Sequence, residues 1–181
     1  MKDTQIIGFC GKAGGGKTTA SEMIINLYKN RNSKFCKIFP LAEELKRIAK
    51  EEFGWDGKKD ERGRTLLQLL GTEVGRGYGG EDFWVDKWES KICDWRSNLS
   101  CEIHCYSPVV LCDDVRFNSE AIRIKNLGGI IVLITGRAYD MGQNLNHASE
   151  KGIDLSFIDS RVINDLSKEN LLYQIQELVE W

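Results

Sequence analysis

The feature that most constrains this chain is a phosphate loop within its first twenty residues. Ile6-Ile7-Gly8-Phe9-Cys10 runs straight into Gly11-Lys12-Ala13-Gly14-Gly15-Gly16-Lys17-Thr18, a complete G-x-x-x-x-G-K-[ST] pattern. An apolar, strand-like run precedes it, and helix-spaced Ala20, Met23, Ile24 and Leu27 follow. The order strand, glycine turn, helix is therefore set at the outset. Small residues let successive backbone N–H groups turn inward around an anion, and the helix N-terminus adds a favourable dipole. This reading gives Gly11, Lys12, Ala13, Gly14, Gly15, Gly16, Lys17, Thr18 and Thr19 to the phosphates of ATP. Lys17 is assigned to the β/γ-phosphates and the Thr18 hydroxyl to Mg²⁺.

At 181 residues the chain has room for one domain with a small insertion. A formal charge of −2 argues against a general binder of nucleic acid or anionic membranes, so any basic surface must be local. No signal-peptide apolar region follows Met1-Lys2-Asp3-Thr4-Gln5, and no apolar run approaches a membrane span. The expectation is a soluble cytoplasmic protein. Its six cysteines read as free thiols. The spacing of Cys93, Cys101, His104 and Cys105 is a weak match for zinc, and no metal site is expected there. Cys10 and Cys112 fall in core strands, where Cys acts as a small hydrophobe.

Apolar runs at 6–10, 35–39, 109–112, 130–134 and, more weakly, 158–163 read as strands. Helical patterns occupy 17–30, 41–53, 65–76, 82–96, 118–127 and 167–180, the last with Asp165 or Ser167 suited to cap it. This alternation predicts a three-layer α/β fold around a mostly parallel sheet. In such sheets ligands sit beyond the carboxyl ends of the strands. Trp84, Trp88, Ile92 and Trp95 recur at three- and four-residue steps, the mark of a packed helix face. Trp84 is set apart because it follows Gly75-Arg76-Gly77-Tyr78-Gly79-Gly80, which reads as a loop or a mobile pocket rim.

Val109-Val110-Leu111-Cys112-Asp113-Asp114 is a buried-strand pattern ending in acid. A carboxylate there is placed to hold Mg²⁺, directly or through water, beside Thr18. Asp114 is assigned that role over Asp113, although periodicity alone does not separate them. Arg116 follows at the same sheet edge, within reach of a phosphate. Arg137 opens a polar stretch to Gly152, suited to close over bound ATP and to add positive charge during transfer. Lys46, Arg64 and Arg76 lie between the second strand and the acid-ended strand, where cations suit a dianionic acceptor. Kinases of alcohols usually need a carboxylate to take the hydroxyl proton, whereas a monophosphate arrives ionised. An arginine-rich site with one acid given to metal suits the monophosphate, although Glu73, Asp82 and Asp113 remain as bases.

Taken together, these motifs resemble the deoxynucleoside monophosphate kinases of tailed bacteriophages, over nearly the whole chain. Beyond the phosphate loop the resemblance rests on Pro40-Leu41-Ala42-Glu43-Glu44-Leu45-Lys46 and on the run from Arg64 through Leu66-Leu67-Gln68-Leu69-Leu70-Gly71-Thr72-Glu73. It continues through Phe83-Trp84-Val85, Asp114-Val115-Arg116-Phe117-Asn118-Ser119-Glu120-Ala121, Leu127-Gly128-Gly129 and Arg137. Asn146-His147-Ala148-Ser149-Glu150 and Val162-Ile163-Asn164-Asp165 complete it. The resemblance implies a single P-loop kinase domain over 1–181, with a helical acceptor-binding region at 41–100 and a lid at 137–152. It implies transfer of the ATP γ-phosphoryl group to a deoxynucleoside 5′-monophosphate, for dNTP supply in phage DNA synthesis in the host cytoplasm. By matching positions, Leu41, Lys46, Arg64, Gln68, Trp84, Asp114 and Arg116 would bind the monophosphate. Lys17, Arg116 and Arg137 would be catalytic, with Arg137 on the lid.

Ala138 departs from the proline often found after that arginine, and the 75–80 and 97–107 stretches look idiosyncratic. Two other readings fit the phosphate loop: a kinase of an alcohol-bearing metabolite or cofactor, and a nucleotide-dependent switch. The switch reading lacks a guanine-reading N-K-x-D motif. Base preference, ribose exclusion and formation of a homodimer are open at this level, and neither nucleic acid nor membrane is an expected partner.

Overall fold

A computed structural model describes residues 4–30, 35–99, 108–136 and 152–179 of the chain. Arg137, His147 and Glu150 of the expected lid, and Cys101, His104 and Cys105, lie outside the described residues. The chain divides into two compact units, one formed by Met1–Phe39 with Asn98–Trp181 and the other by Pro40–Ser97.

The first unit is built on five parallel strands: β1 (Gln5–Cys10), β2 (Cys36–Ile38), β3 (Val109–Cys112), β4 (Ile130–Gly136) and β5 (Ser160–Asn164). Their order across the sheet is β2-β3-β1-β4-β5. The central strands are nearly all apolar, as burial on both faces requires. Side-chain alternation then sorts them. Ile7 and Phe9 face a core with α1 (Lys17–Asn30) and α6 (Lys168–Val179), supplied by Ala20, Ile24, Leu171 and Ile175. The opposite face of β1 meets α5 (Asn118–Asn126), whose Ile124 packs beside Val115 and Ile131 over Gly8. This is the three-layer α/β arrangement read from the sequence. Of the two capping candidates for α6, Ser167 is used: its Oγ accepts from the Asn170 N–H at 3.3 Å. Cys10, Cys36, Cys93 and Cys112 are free thiols.

The second unit is helical. In it α2 (Glu43–Phe53) ends at Gly54, whose left-handed φ of 63° closes the helix. The next helix begins earlier than its apolar pattern does. Asp60 accepts from the Gly63 N–H at 2.8 Å, so α3 runs Glu61–Gln68 rather than from 65. It passes into a wide, π-type coil at Leu69–Tyr78 and then, through Gly79 and Gly80, to α4 (Phe83–Ser97). The loop expected at 75–80 is therefore mostly helix. Trp84 explains the difference. Its indole N–H donates to the Gly71 carbonyl at 2.9 Å, and its ring lies where any side chain at residue 75 would stand. Of the glycines that read as hinge residues, Gly75 receives this ring and Gly79 faces the Phe83 ring. Trp88 and Ile92 are buried on the same helix as Trp84.

Among the described residues, no helix is long and apolar enough to cross a membrane. A β-carbon at Gly75 would fall 2.1 Å from Trp84 Nε1. Gly75→Ala should therefore destabilise the protein by about 1–3 kcal/mol through overpacking, read as a lowered denaturation midpoint. An unchanged midpoint would mean that Trp84 is not seated on this coil.

Candidate functional site

Immediately after β1 the backbone turns in conformations that L side chains avoid, with φ of 129° at Gly11, 76° at Gly14 and 100° at Gly16. Space is as restrictive as torsion. A β-carbon at Gly11 would lie 2.3 Å from the Ile134 carbonyl oxygen, and one at Gly16 would lie 2.3 Å from Asn164 Nδ2. The Gly15 N–H donates to the Lys12 carbonyl at 3.1 Å. Lys17 Nζ curls back over the turn and donates to the Gly11 and Lys12 carbonyls, both at 2.7 Å. The Ala20 N–H then donates to the Gly16 carbonyl at 2.9 Å, opening α1, with Thr18 and Thr19 in its first turn. Lys12, Ala13 and Gly14 are exposed at the tip.

Topology brings a second group to this turn. β1 lies between β3 and β4, and the chain leaves β1 and β3 toward opposite faces of the sheet. The crevice between two such strands is where open α/β sheets bind ligands. Asp113 and Asp114 stand at the exit of β3, and the Thr18 hydroxyl donates to Asp113 Oδ2 at 2.5 Å. The Cys112 thiol donates to Asp114 Oδ1 at 3.6 Å. The sequence reading gave the Mg²⁺ role beside Thr18 to Asp114 over Asp113; the acid that hydrogen-bonds to the Thr18 hydroxyl is Asp113. Neighbouring residues leaving a strand point to different sides, so only the position of α1 distinguishes them.

Arg116 is held by its backbone. Glu120 Oε2 accepts from the N–H groups of Arg116 at 2.7 Å and Phe117 at 3.0 Å, tying this turn to the start of α5. Glu120 is only 4% exposed. Its role has a sequence signal, an acid three residues into a helix, reaching back as half of a capping box. The Lys17 amine is pushed below its ordinary range, first by burial and then by the charge of Arg116, against the opposing pull of Asp113, Cys10 and Asp114. Burial pushes the Cys10 thiol up to about 11, so it stays protonated at neutral pH.

These residues form one set of oxygen donors, backbone N–H groups and cations. Asn164 joins them from the end of β5, its Nδ2 donating to the Gly15 carbonyl at 2.9 Å. The sequence reading assigned it no role.

The acceptor candidates at 41–84 belong to the second unit. Lys46 lines a shallow hollow of about 300 Å³ with Pro40, Glu43, Arg47 and Lys50. Arg47 is engaged by Glu44 and Glu51. Arg64 is exposed, with Nε donating to the Lys59 carbonyl at 2.9 Å, and Gln68 is exposed at the end of α3. Leu41 is buried. Trp84 is 5% exposed, with its N–H committed to Gly71 and its ring edge-on to Phe83. It is a core residue of its unit.

No protein-family model matches the chain, and no curated protein matches it in sequence. Solved structures do match. TT1252 from Thermus thermophilus is 14% identical, with a TM-score of 0.56, over 97% of this chain and 96% of that one. Dephospho-CoA kinase from Campylobacter jejuni is also 14% identical, with a TM-score of 0.52, over 97% and 95%. The Mycobacterium tuberculosis APS kinase, in complex with AMPPNP and APS, is 10% identical, with a TM-score of 0.51, over 98% and 96%. The chain shares the three-layer α/β fold of these structures. At such identities the likeness is one of architecture.

Removing the buried carboxylate that holds the Arg116 turn leaves two backbone donors without it. Glu120→Ala should cost about 1–3 kcal/mol of stability, measured by denaturant unfolding. A loss below about 0.5 kcal/mol would show that Glu120 does not anchor this turn.

Proposed function

We propose that the protein is a phosphotransferase that moves the ATP γ-phosphoryl group to a deoxynucleoside 5′-monophosphate, releasing ADP and the diphosphate. The observation that carries the kinase reading is the meeting of Lys17, Thr18 and Asp113 on a glycine turn at the sheet's switch point. The donor set fits both groups. A turn that excludes β-carbons leaves backbone close to the phosphates, and the Thr18 hydroxyl with the Asp113 carboxylate supplies hard oxygen ligands of the kind Mg²⁺ prefers. When bound, Mg²⁺ neutralises phosphate charge.

The chain's own groups do the rest. Lys17 exchanges two carbonyl acceptors for the β/γ-phosphates, and its ammonium offsets charge that builds during transfer. Its lowered pKa is raised again by the approaching anion, which keeps it charged. Arg116, placed by Glu120, supplies the second cation at the crevice and contacts the acceptor phosphate. Arg137 is assigned to the lid. Lys46, Arg64 and Gln68 are assigned to the acceptor, and the monophosphate needs no base to activate it.

The names of two fold neighbours, dephospho-CoA kinase and APS kinase, keep a second reading in play, a kinase of a small metabolite or cofactor. An ADP-release assay with ATP·Mg²⁺ against deoxy- and ribonucleoside monophosphates separates the two. Stimulation by one or a few deoxynucleotides is expected, and a flat response would favour the second reading. In that assay Lys17→Ala should lower turnover by about 10²–10³-fold or more. Arg116→Ala should lower acceptor kcat/KM by about 1.5–3 kcal/mol, and an unchanged value would remove it from the site. Asp113→Asn should raise the Mg²⁺ concentration for half-maximal activity more than Asp114→Asn does. The reverse order would return the metal to Asp114.

A further inference from the structure

Asn164 is a buried amide, 8% exposed, at the last position of β5 and 149 residues from the carbonyl it touches. Its contacts converge on the phosphate loop. Nδ2 donates to the Gly15 carbonyl at 2.9 Å and occupies the volume that a side chain at Gly16 would need. Its backbone is equally confined, since a β-carbon at Gly136 would fall 2.4 Å from the Asn164 carbonyl oxygen. The amide is thus fixed from both sides.

A trans, planar peptide points its C=O and its N–H in opposite directions, and there is no cis bond in the described chain. Drawing the Gly15 carbonyl toward β5 therefore turns the Gly16 N–H away from β5. Without that hold, the 15–16 peptide is flanked by glycines and is free to rotate. Rotation would present a carbonyl oxygen where a phosphate requires a donor.

We propose that Asn164 is a positioning residue, which sets the direction in which the loop presents the Gly16 N–H to the phosphates. The proposal rests on the nucleotide-binding reading and is independent of which acceptor is used. Gln174 provides a matched comparison. It also braces β5, donating to the Ile163 carbonyl at 2.9 Å and accepting from the Ile163 N–H at 2.8 Å, and its amide bonds onward to Asn170 within α6.

The test is equilibrium binding of ADP·Mg²⁺ to the full chain, with the phosphorus NMR resonance of the bound β-phosphate as a second readout. Asn164→Asp keeps the side-chain shape but, as a carboxylate, cannot donate and repels the Gly15 oxygen. It should weaken ADP binding tenfold or more and displace the β-phosphate resonance. Asn164→Ala should do the same less severely, and if it fails to fold the isosteric variant carries the comparison. Gln174→Ala should lower the melting temperature while holding ADP affinity within twofold. If both Asn164 variants bind ADP within twofold of wild type with an unshifted resonance, Asn164 is only structural and the proposal is overturned. If the wild-type chain binds no ADP, the nucleotide reading itself fails.

Discussion

The exclusion of β-carbons from one turn governs the rest of this molecule. Gly11 and Gly16 are pressed against the Ile134 carbonyl and the Asn164 amide, with φ values of 129° and 100°. Any other residue at either place would meet both a torsional and a steric penalty. Because the pressing groups come from β4 and β5, the turn depends on a sheet assembled from strands more than a hundred residues away. The order β3-β1-β4 places the turn centrally, and α1 departs from it with its N-terminus at the crevice. A loop that looks local is in fact a product of the whole sheet.

Charge is arranged around that turn with little excess. Lys17 and Arg116 stand near Asp113 and Asp114, so the site is balanced in a chain of net charge −2. These groups are half-buried, which makes each count for more than it would on the open surface. In the proposed reaction the phosphates would take Lys17 and Arg116 as partners, and the acids would be left for the metal ion.

Much of the architecture was legible in the pattern of apolar residues. All five strand runs and the helices at 17–30, 82–96, 118–127 and 167–180 appear within a few residues of where periodicity put them. The reason is that burial on two faces imposes long apolar runs, and burial on one face imposes a helical repeat. The misreadings share a different cause. Gly75 to Gly80 carry the composition of a loop, yet Trp84 fills the space beside Gly75 and Phe83 that beside Gly79, and the coil continues to Tyr78. Composition reports what a backbone is free to do, and packing decides what it does.

The site divides along the same line. The sequence by itself determined the strand, the inverted glycine turn, Lys17 and Thr18, because a phosphate cradle needs those residue types at consecutive positions. It also placed an acid pair and Arg116 at the exit of a buried strand. Only the tertiary structure decided that Asp113 meets Thr18, that Glu120 anchors the Arg116 turn, and that Asn164 holds the Gly15 carbonyl. Those choices depend on which way a side chain points when two distant segments meet. Periodicity along one chain carries no record of that direction, whereas a parallel sheet fixes it through strand order and register.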